Sequence, residues 1–377
     1  MRPRFQIDDG AALYYDAGET TPIGEVVRNA MVPYLYEKFG DPEDISVVGK
    51  SAAASLADYR EDFLDLLGVP DGSLWFTSSG TEANNWVVNG VIGVRVCSAG
   101  EHLSVLGPVH KLDGKVIPLG SSGLVDLGAL EEVAQAGGVG LVSIQYANSE
   151  TGIIQEIRKV SNICKEHCIP LHVDASIAFC VESIDMIDIG ADFLTLSGHK
   201  AWGPLGVGAL VSSGKYEVDP WMLGGGQEEG MRAGPVNMAA IAGFHAAAMF
   251  LRNEKWEKVR KLRDSLESEL RGIFPDLVVH GDGHERLPNL TCLSFPGADS
   301  TMMSAVLESK YGIIVGVGGV SEKGTSSRVL ESMGVSRSDR ESSIRLRFGC
   351  GISRSDIDLL ANGITIALRK EKFEPII

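Results

Sequence analysis

Between about residue 70 and residue 215 the chain alternates short apolar runs with amphipathic stretches. This alternation limits the fold more than any other feature. SLWFTSS, GLVSIQYANSE, IPLHVDAS, ADFLTLSG and GVGALVSS read as strands. TEANNWVVNGVIG, LVDLGALEEVAQA and EIRKVSNICKEH read as helices. Their alternation predicts an α/β fold with a mostly parallel sheet flanked by helices. After Pro235 comes VNMAAIAGFHAAAMFLRNEKWEKVRKLRDSLESELRGIF, rich in Ala, Leu, Glu and Lys. It predicts one helix of about 35 residues, long for a globular protein, bending near Gly243 and bridging two units. Beyond it DLVVHGD, NLTCLSFPG, TMMSAVLESKYG, IIVGVG, SSIRLRFGCG and SRSDIDLLANGITIALRK predict a second, smaller α/β unit. The expected division is an arm over 1–14, a large unit over 15–245 and a small unit over 246–377. Two units are also what a chain of 377 residues implies. The loops GGVSEKGTSS (Gly318–Ser327) and LGGGQEEGMRAGP (Leu223–Pro235) read as the most flexible stretches.

Charge narrows the partners. The formal net charge is −16, which argues against nucleic acid or an anionic membrane as the main partner. No apolar run reaches the roughly 20 residues needed to span a bilayer. The opening MRPRFQIDDGAALYY lacks the apolar core of a signal peptide, so a cytoplasmic location is expected. The six cysteines are dispersed; Cys164 and Cys168 stand four apart on a predicted helix, with only His167 and His172 near them. Reduced, buried thiols and no metal are expected.

The chemistry concentrates around one lysine. Lys200 follows DFLTLSGH, a buried strand leaving the core, where a charged amine is costly unless paired, exposed or chemically used. Other strand ends supply matching groups. Ser79, Gly80 and Thr81 in FTSSGTEANN stand at a helix N-terminus, where phosphate binds; taken alone, a simple helix cap explains them better. Asp174 ends the strand LHVDAS, and either pairs with a cationic ring nitrogen or caps a helix. Ser197 and His199 flank Gly198 just before the lysine. Asn148 in YANSETG and His102 in AGEHLSV follow other strands or turns. Together these match pyridoxal 5'-phosphate: the lysine forms a Schiff base, the aspartate keeps the pyridine nitrogen protonated, and the helix N-terminus takes the phosphate.

YYDAGETTP, FGDPEDIS, FTSSGTEANN, GEH, VSIQYANSETGIIQEI, HVDAS, SGHKAWGPLGVGAL, GGGQEEGMRAGP, LPNLTCLSF and SSIRLRFG, spread from about residue 13 to 365, resemble the cysteine desulfurases of the class V aminotransferase group. The resemblance implies a fold-type I pyridoxal enzyme, with a seven-stranded-type sheet in the large domain and a smaller α/β C-terminal domain. It implies Lys200 as the catalytic Schiff-base lysine, Asp174 as the ring-nitrogen partner, and His102 as a catalytic residue that stacks on the ring and assists proton transfer. It puts Asn148 near the ring hydroxyl or substrate, and Gly80, Thr81, Ser197 and His199 on the phosphate. Arg345 would clamp the carboxylate of a small amino-acid substrate. A homodimer and a sulfur-acceptor protein are the partners it implies.

The pattern also breaks. Desulfurases carry a nucleophilic cysteine on a mobile loop, here Gly312 to Val335, yet no cysteine lies between Cys292 and Cys350. Ser321 is the nearest hydroxyl, and a persulfide needs a thiolate. Ile177 stands where the resemblance implies a glutamine at the ring hydroxyl. Pro235 replaces a threonine that reaches the partner's phosphate, Glu19 a small residue near the substrate, and Glu229 an arginine. Cys350, placed on the Arg345 strand at an odd offset, and Cys180 are weak substitutes for the loop thiol. The expectation is an enzyme acting on L-cysteine or a related amino acid through an external aldimine, without the usual persulfide. The alternatives are a true desulfurase using another thiol, another class V aminotransferase, lyase or epimerase, and a non-catalytic cofactor-binding subunit.

Overall fold

A computed structural model of the protein describes residues 4–7, 10–16, 18–317 and 326–371. Most of the loop Gly318–Ser327, with Ser321, lies outside them. Seven strands form the main sheet: Ser73–Thr77, Val94–Ser98, Lys115–Ile117, Val139–Gln145, Leu171–Asp174, Phe193–Ser197 and Gly208–Ser212. Numbered by first residue, the order across the sheet is 73, 208, 193, 171, 139, 94, 115. The five strands from 193 to 115 run parallel, and the 208 strand is antiparallel to both of its neighbours. Helices on both faces bury the central strands completely: Leu171–Asp174, Phe193–Ser197 and Gly208–Ser212 have no exposed residue. The sequence shows these strands as continuous apolar runs for that reason.

Register then positions the chemistry. Gln145 stands opposite Asp174, Asp174 opposite Thr195, and Ser197 opposite Gly208. Gln145, Asp174 and Ser197 therefore end three adjacent parallel strands along one carboxyl edge, where open α/β sheets bind ligands.

The C-terminal half builds a separate antiparallel sheet from Val278–Val279, Leu290–Ser294, Ser343–Arg347 and Gly316–Val317, in that order. Near the N-terminus, Arg4–Ile7 and Gly10–Tyr14 pair antiparallel, and Ile313–Ile314 joins Gly10–Tyr14 in parallel. The opening strands are thus held by the C-terminal unit. From there the chain crosses to the lysine: Asp16 bridges Arg347, and Thr21 donates its backbone N–H and its hydroxyl to the His199 carbonyl.

The long helix expected after Pro235 is two helices, Met238–Leu251 and Trp256–Ile273, broken at 252–255. The first is buried almost all round, while the second buries one side only. Trp256 fixes the new start: its indole N–H donates to the Cys180 carbonyl at 2.7 Å and its ring packs 5.5 Å from Trp202. Gly243 does not bend the chain. A Cβ there would meet Met31 Cγ at 2.6 Å, so the glycine allows close helix packing. Among the described residues no helix is long and apolar enough to cross a membrane.

Candidate active site

The strand Ser73–Thr77 turns directly into the helix Gly80–Asn89. Ser79 caps it, its Oγ accepting from Glu82 N at 3.2 Å, while Glu82 reaches back to accept from Ser78 N at 2.7 Å. This reciprocal cap leaves the amides at Gly80 and Thr81 at the positive end of the helix. A Cβ on Gly80 would lie 2.8 Å from Ser176 Oγ and 3.1 Å from Ser197 Cβ, so only glycine lets the helix come so close to these strand ends.

Asp174 is buried at the carboxyl edge. Its Oδ1 accepts from Ser176 N at 2.9 Å and its Oδ2 from Asn84 Nδ2 at 2.7 Å. Asn84 also donates to Ser104 Oγ at 2.9 Å, tying two helix starts to the carboxylate. His102 caps the helix Leu103–Lys111, its Nδ1 accepting from Ser104 N at 3.1 Å. An accepting Nδ1 puts the proton of the neutral ring on Nε2. Desolvation holds the His102 pKa below its usual value, with Lys200 adding to the effect and Asp174 opposing it.

Lys200 ends the short turn Gly198–Lys200. Its Nζ donates to the carbonyls of Gly18 and Glu19, the latter at 2.7 Å. Burial lowers its pKa to about 8 despite Glu19, and Arg347 and Arg345 push the same way. His199 is lowered to about 4 by burial and by Lys200. Beneath them lies Arg347, wholly buried, donating to the Ile177 and Lys200 carbonyls at 2.9 and 3.1 Å.

These groups line one cavity of about 220 Å³. Gly80, Thr81, His102, Asp174, Ser197, His199 and Lys200 all face it, as do Glu19 and Ile177. Arg345 and Asn148 do not. Arg345 is turned into an ion pair with Asp16 and Glu19, and Asn148 is committed to the turn Asn148–Thr151, its Oδ1 accepting from Glu150 N and Thr151 N at 2.9 Å each. Asn84, Ser104 and Gln145 were not singled out from sequence, yet they line the cavity too. Asn84 lies within the TEANN run that follows the phosphate-binding turn; no local sequence feature marks Gln145.

The departures separate in space. Pro235 lies in a different groove with Ser78 and Arg232, and Glu229 accepts from Trp75 Nε1 at 3.2 Å in a left-handed turn. Only Glu19 and Ile177 meet the cavity. No cysteine among the described residues lines it. Cys180 is buried and its thiol is pushed far up by desolvation. The strand of Arg345 stops at Arg347, so Cys350 lies beyond it and its odd offset from Arg345 does not set the sheet face it occupies. Among the described residues no cluster of three metal-ligating side chains occurs.

The donor set suits pyridoxal phosphate. The cavity has a helix N-terminus and hydroxyls for a phosphate, a buried carboxylate for a protonated ring nitrogen, and a lysine with a depressed pKa. It also has an orphan: Gln145 Nε2 is buried without any partner, a donor waiting for an acceptor. The family model for Aminotransferase class-V matches residues 13–360. The chain belongs to the class-V aminotransferase family. Its members use pyridoxal 5'-phosphate, and this chain is a pyridoxal-phosphate-dependent enzyme of cysteine desulfurase-like type. Cysteine desulfurase IscS of Methanosarcina thermophila is 32% identical over 369 residues, covering 93% of this chain and 90% of that protein. The crystal structure of a NifS-like protein from Rickettsia africae has TM-score 0.89 at 31% identity, covering 95% of this chain and 99% of that one. A structure described as SspA in complex with cysteine has TM-score 0.78 at 27% identity, covering 89% and 98%. The class-V architecture accounts for both the large sheet and the smaller C-terminal unit.

Proposed function

We propose that this class-V enzyme acts on L-cysteine or a related small amino acid and does so without a loop-cysteine persulfide. The observation that carries the reading is the Lys200 amine, buried and depressed in pKa, facing the same cavity as Asp174 and the helix N-terminus. The absence of any cysteine between Cys292 and Cys350 supports its second half. So does the neighbour whose structure holds cysteine, for the substrate class.

The residues divide the work as follows. Gly80, Thr81, Ser197 and His199 hold the phosphate. Asp174, aligned by Asn84 and Ser176, keeps a proton on the ring nitrogen. His102 offers a flat ring for stacking, and Gln145 Nε2 a donor for the ring hydroxyl, the task left open by Ile177. When bound, the cofactor supplies an electron sink for the pair left on the substrate's α-carbon. Lys200 anchors the cofactor, and its amine, which burial makes easier to deprotonate than an exposed lysine, moves the α-proton. Asn148 shapes the wall that carries Ala147 and Ser149.

A second reading is favoured by the curated relatives, which are named cysteine desulfurases: desulfuration with an external thiol as sulfur acceptor. Exposed apolar side chains at Ile23, Val26, Leu35, Phe39, Ile45 and Val47 support a homodimer. The deciding assay adds L-cysteine and a reductant to the yellow holoenzyme and identifies the carbon product. Pyruvate with sulfide supports elimination, and alanine with sulfide supports the second reading. Lys200→Ala is expected to abolish the visible band of the bound cofactor; a surviving band would remove Lys200 from its role.

A further inference from the structure

Glu19 breaks the family pattern and also faces the cavity, so its partner matters. Arg345 Nη2 donates to Asp16 Oδ1 at 2.9 Å and to Glu19 Oε1 at 2.6 Å. The guanidinium is boxed in: a Cβ on Gly18 would lie 2.8 Å from its Nε, and one on Gly316 would lie 3.0 Å away. That Nε is buried and without a partner. The two acids differ in freedom. The Asp16 side chain is 17% exposed and its backbone bridges Arg347, whereas the Glu19 side chain is 66% exposed. Glu19 lines the cavity beside Lys200 and Arg345 does not. Glu19 thus stands between the arginine and the cavity.

We propose that Glu19 is a displaceable carboxylate that occupies the place on Arg345 which a substrate carboxylate takes, and that it sets the specificity of the cavity. The inference rests on the proposed function together with the role that the family resemblance implies for Arg345, receiving the substrate's carboxylate. Asp16 is the permanent counter-ion. Exchanging Glu19 for a substrate carboxylate keeps the charge count at the buried guanidinium unchanged, while the mostly exposed Glu19 moves into water. Emptying the place would leave a buried charge short of a partner, which is far more costly. Only a ligand that carries a carboxylate can make the exchange, and it binds more weakly than it would to an open arginine. An amine without a carboxylate leaves Glu19 where it is.

L-Alanine and ethylamine differ only by that carboxylate. The holoenzyme and its Glu19→Gln and Glu19→Ser variants are titrated with each, reading the visible absorbance of the bound cofactor. Retention of that band reports an intact site in each variant. Glu19 also faces Lys200, so the quantity read is the ratio of the two affinities, in which an effect on the lysine cancels. Both variants are expected to shift the ratio toward L-alanine by about tenfold, the change that a weakened neutral competitor for the guanidinium implies. A ratio unchanged, or shifted toward ethylamine, overturns the role of Glu19 while leaving the cofactor site standing. If neither compound perturbs the band in any of the three proteins, the proposed function fails and the inference falls with it.

Discussion

At the scale of single residues, the main lever is the cost of burying polar groups. Lys200 titrates near pH 8, held down by burial. The cofactor reacts with a neutral amine, so uptake by the cofactor-free protein should quicken as pH rises through about 8, well below the usual lysine value of about 10.4. Stopped-flow absorbance from pH 6.5 to 10 checks this; a midpoint near 10 would place the amine in water. Gln145 gives a second prediction. Replacing it by Leu removes an unpartnered buried N–H donor at the cost of only one long bond, Asn148 Nδ2 to Gln145 Oε1 at 3.5 Å, so the cofactor-free protein should melt higher. The same change should weaken cofactor binding by about 1 kcal/mol, the net worth of one hydrogen bond. Equilibrium dialysis and a thermal melt read the two opposite effects, and a loss of both would mark Gln145 as ordinary packing. Lys200, Asp174, His102 and the Gly80–Thr81 turn were legible in the sequence because each sits at the end of a recognisable strand or the start of a helix. Gln145 and Asn84 were not, because their exposure is decided by neighbours far along the chain. The contact of Glu19 with Arg345 spans 326 positions, so local pattern holds no trace of it.

At the scale of elements, buried ion pairs decide how helices seat. Glu267 on the helix Trp256–Ile273 receives both terminal nitrogens of Arg286, at 2.8 and 2.9 Å, with both side chains buried. Arg286 leads into the strand Leu290–Ser294, and its neighbours bond the turn at Gly152 and Ile154 through Leu287 N and the Glu285 carbonyl. Glu267→Ala would leave the guanidinium buried and uncompensated. A loss of about 3–5 kcal/mol is expected in chemical denaturation; a loss under about 1 kcal/mol would mean the pair behaves as a surface bridge. The strands of the main sheet were legible because full burial writes itself as continuous apolar runs. The break at 252–255 was not, since Arg, Asn, Glu and Lys there interrupt no periodicity strongly. What breaks the helix is Trp256 finding Cys180, a tertiary event.

For the whole molecule, Glu101 couples stability to pH. It is fully buried, accepts from Ser98 Oγ at 2.5 Å and Gln145 N at 3.0 Å, and burial raises its pKa to about 8. An unfolded glutamate titrates near 4.3. Between those two values the native state holds a proton that the unfolded state has released. Stability from this group is therefore full at the acid end, falls as pH rises toward 8, and levels above it. Glu101→Gln should flatten that fall in the melting temperature measured between pH 5 and 8; parallel curves for the two proteins would remove Glu101 as its source.

Asp16 and the segment Gly18–Thr21 act as a mechanical tether. One end is stitched to the strand of Arg347 and the other to the His199 carbonyl, with the lysine amine hanging from two carbonyls between them. Any sliding of the C-terminal unit must be felt at Lys200 as tension. A bulky fusion or trimming ahead of Gly10 would therefore reach the reactive amine, although its chemistry is written two hundred residues downstream.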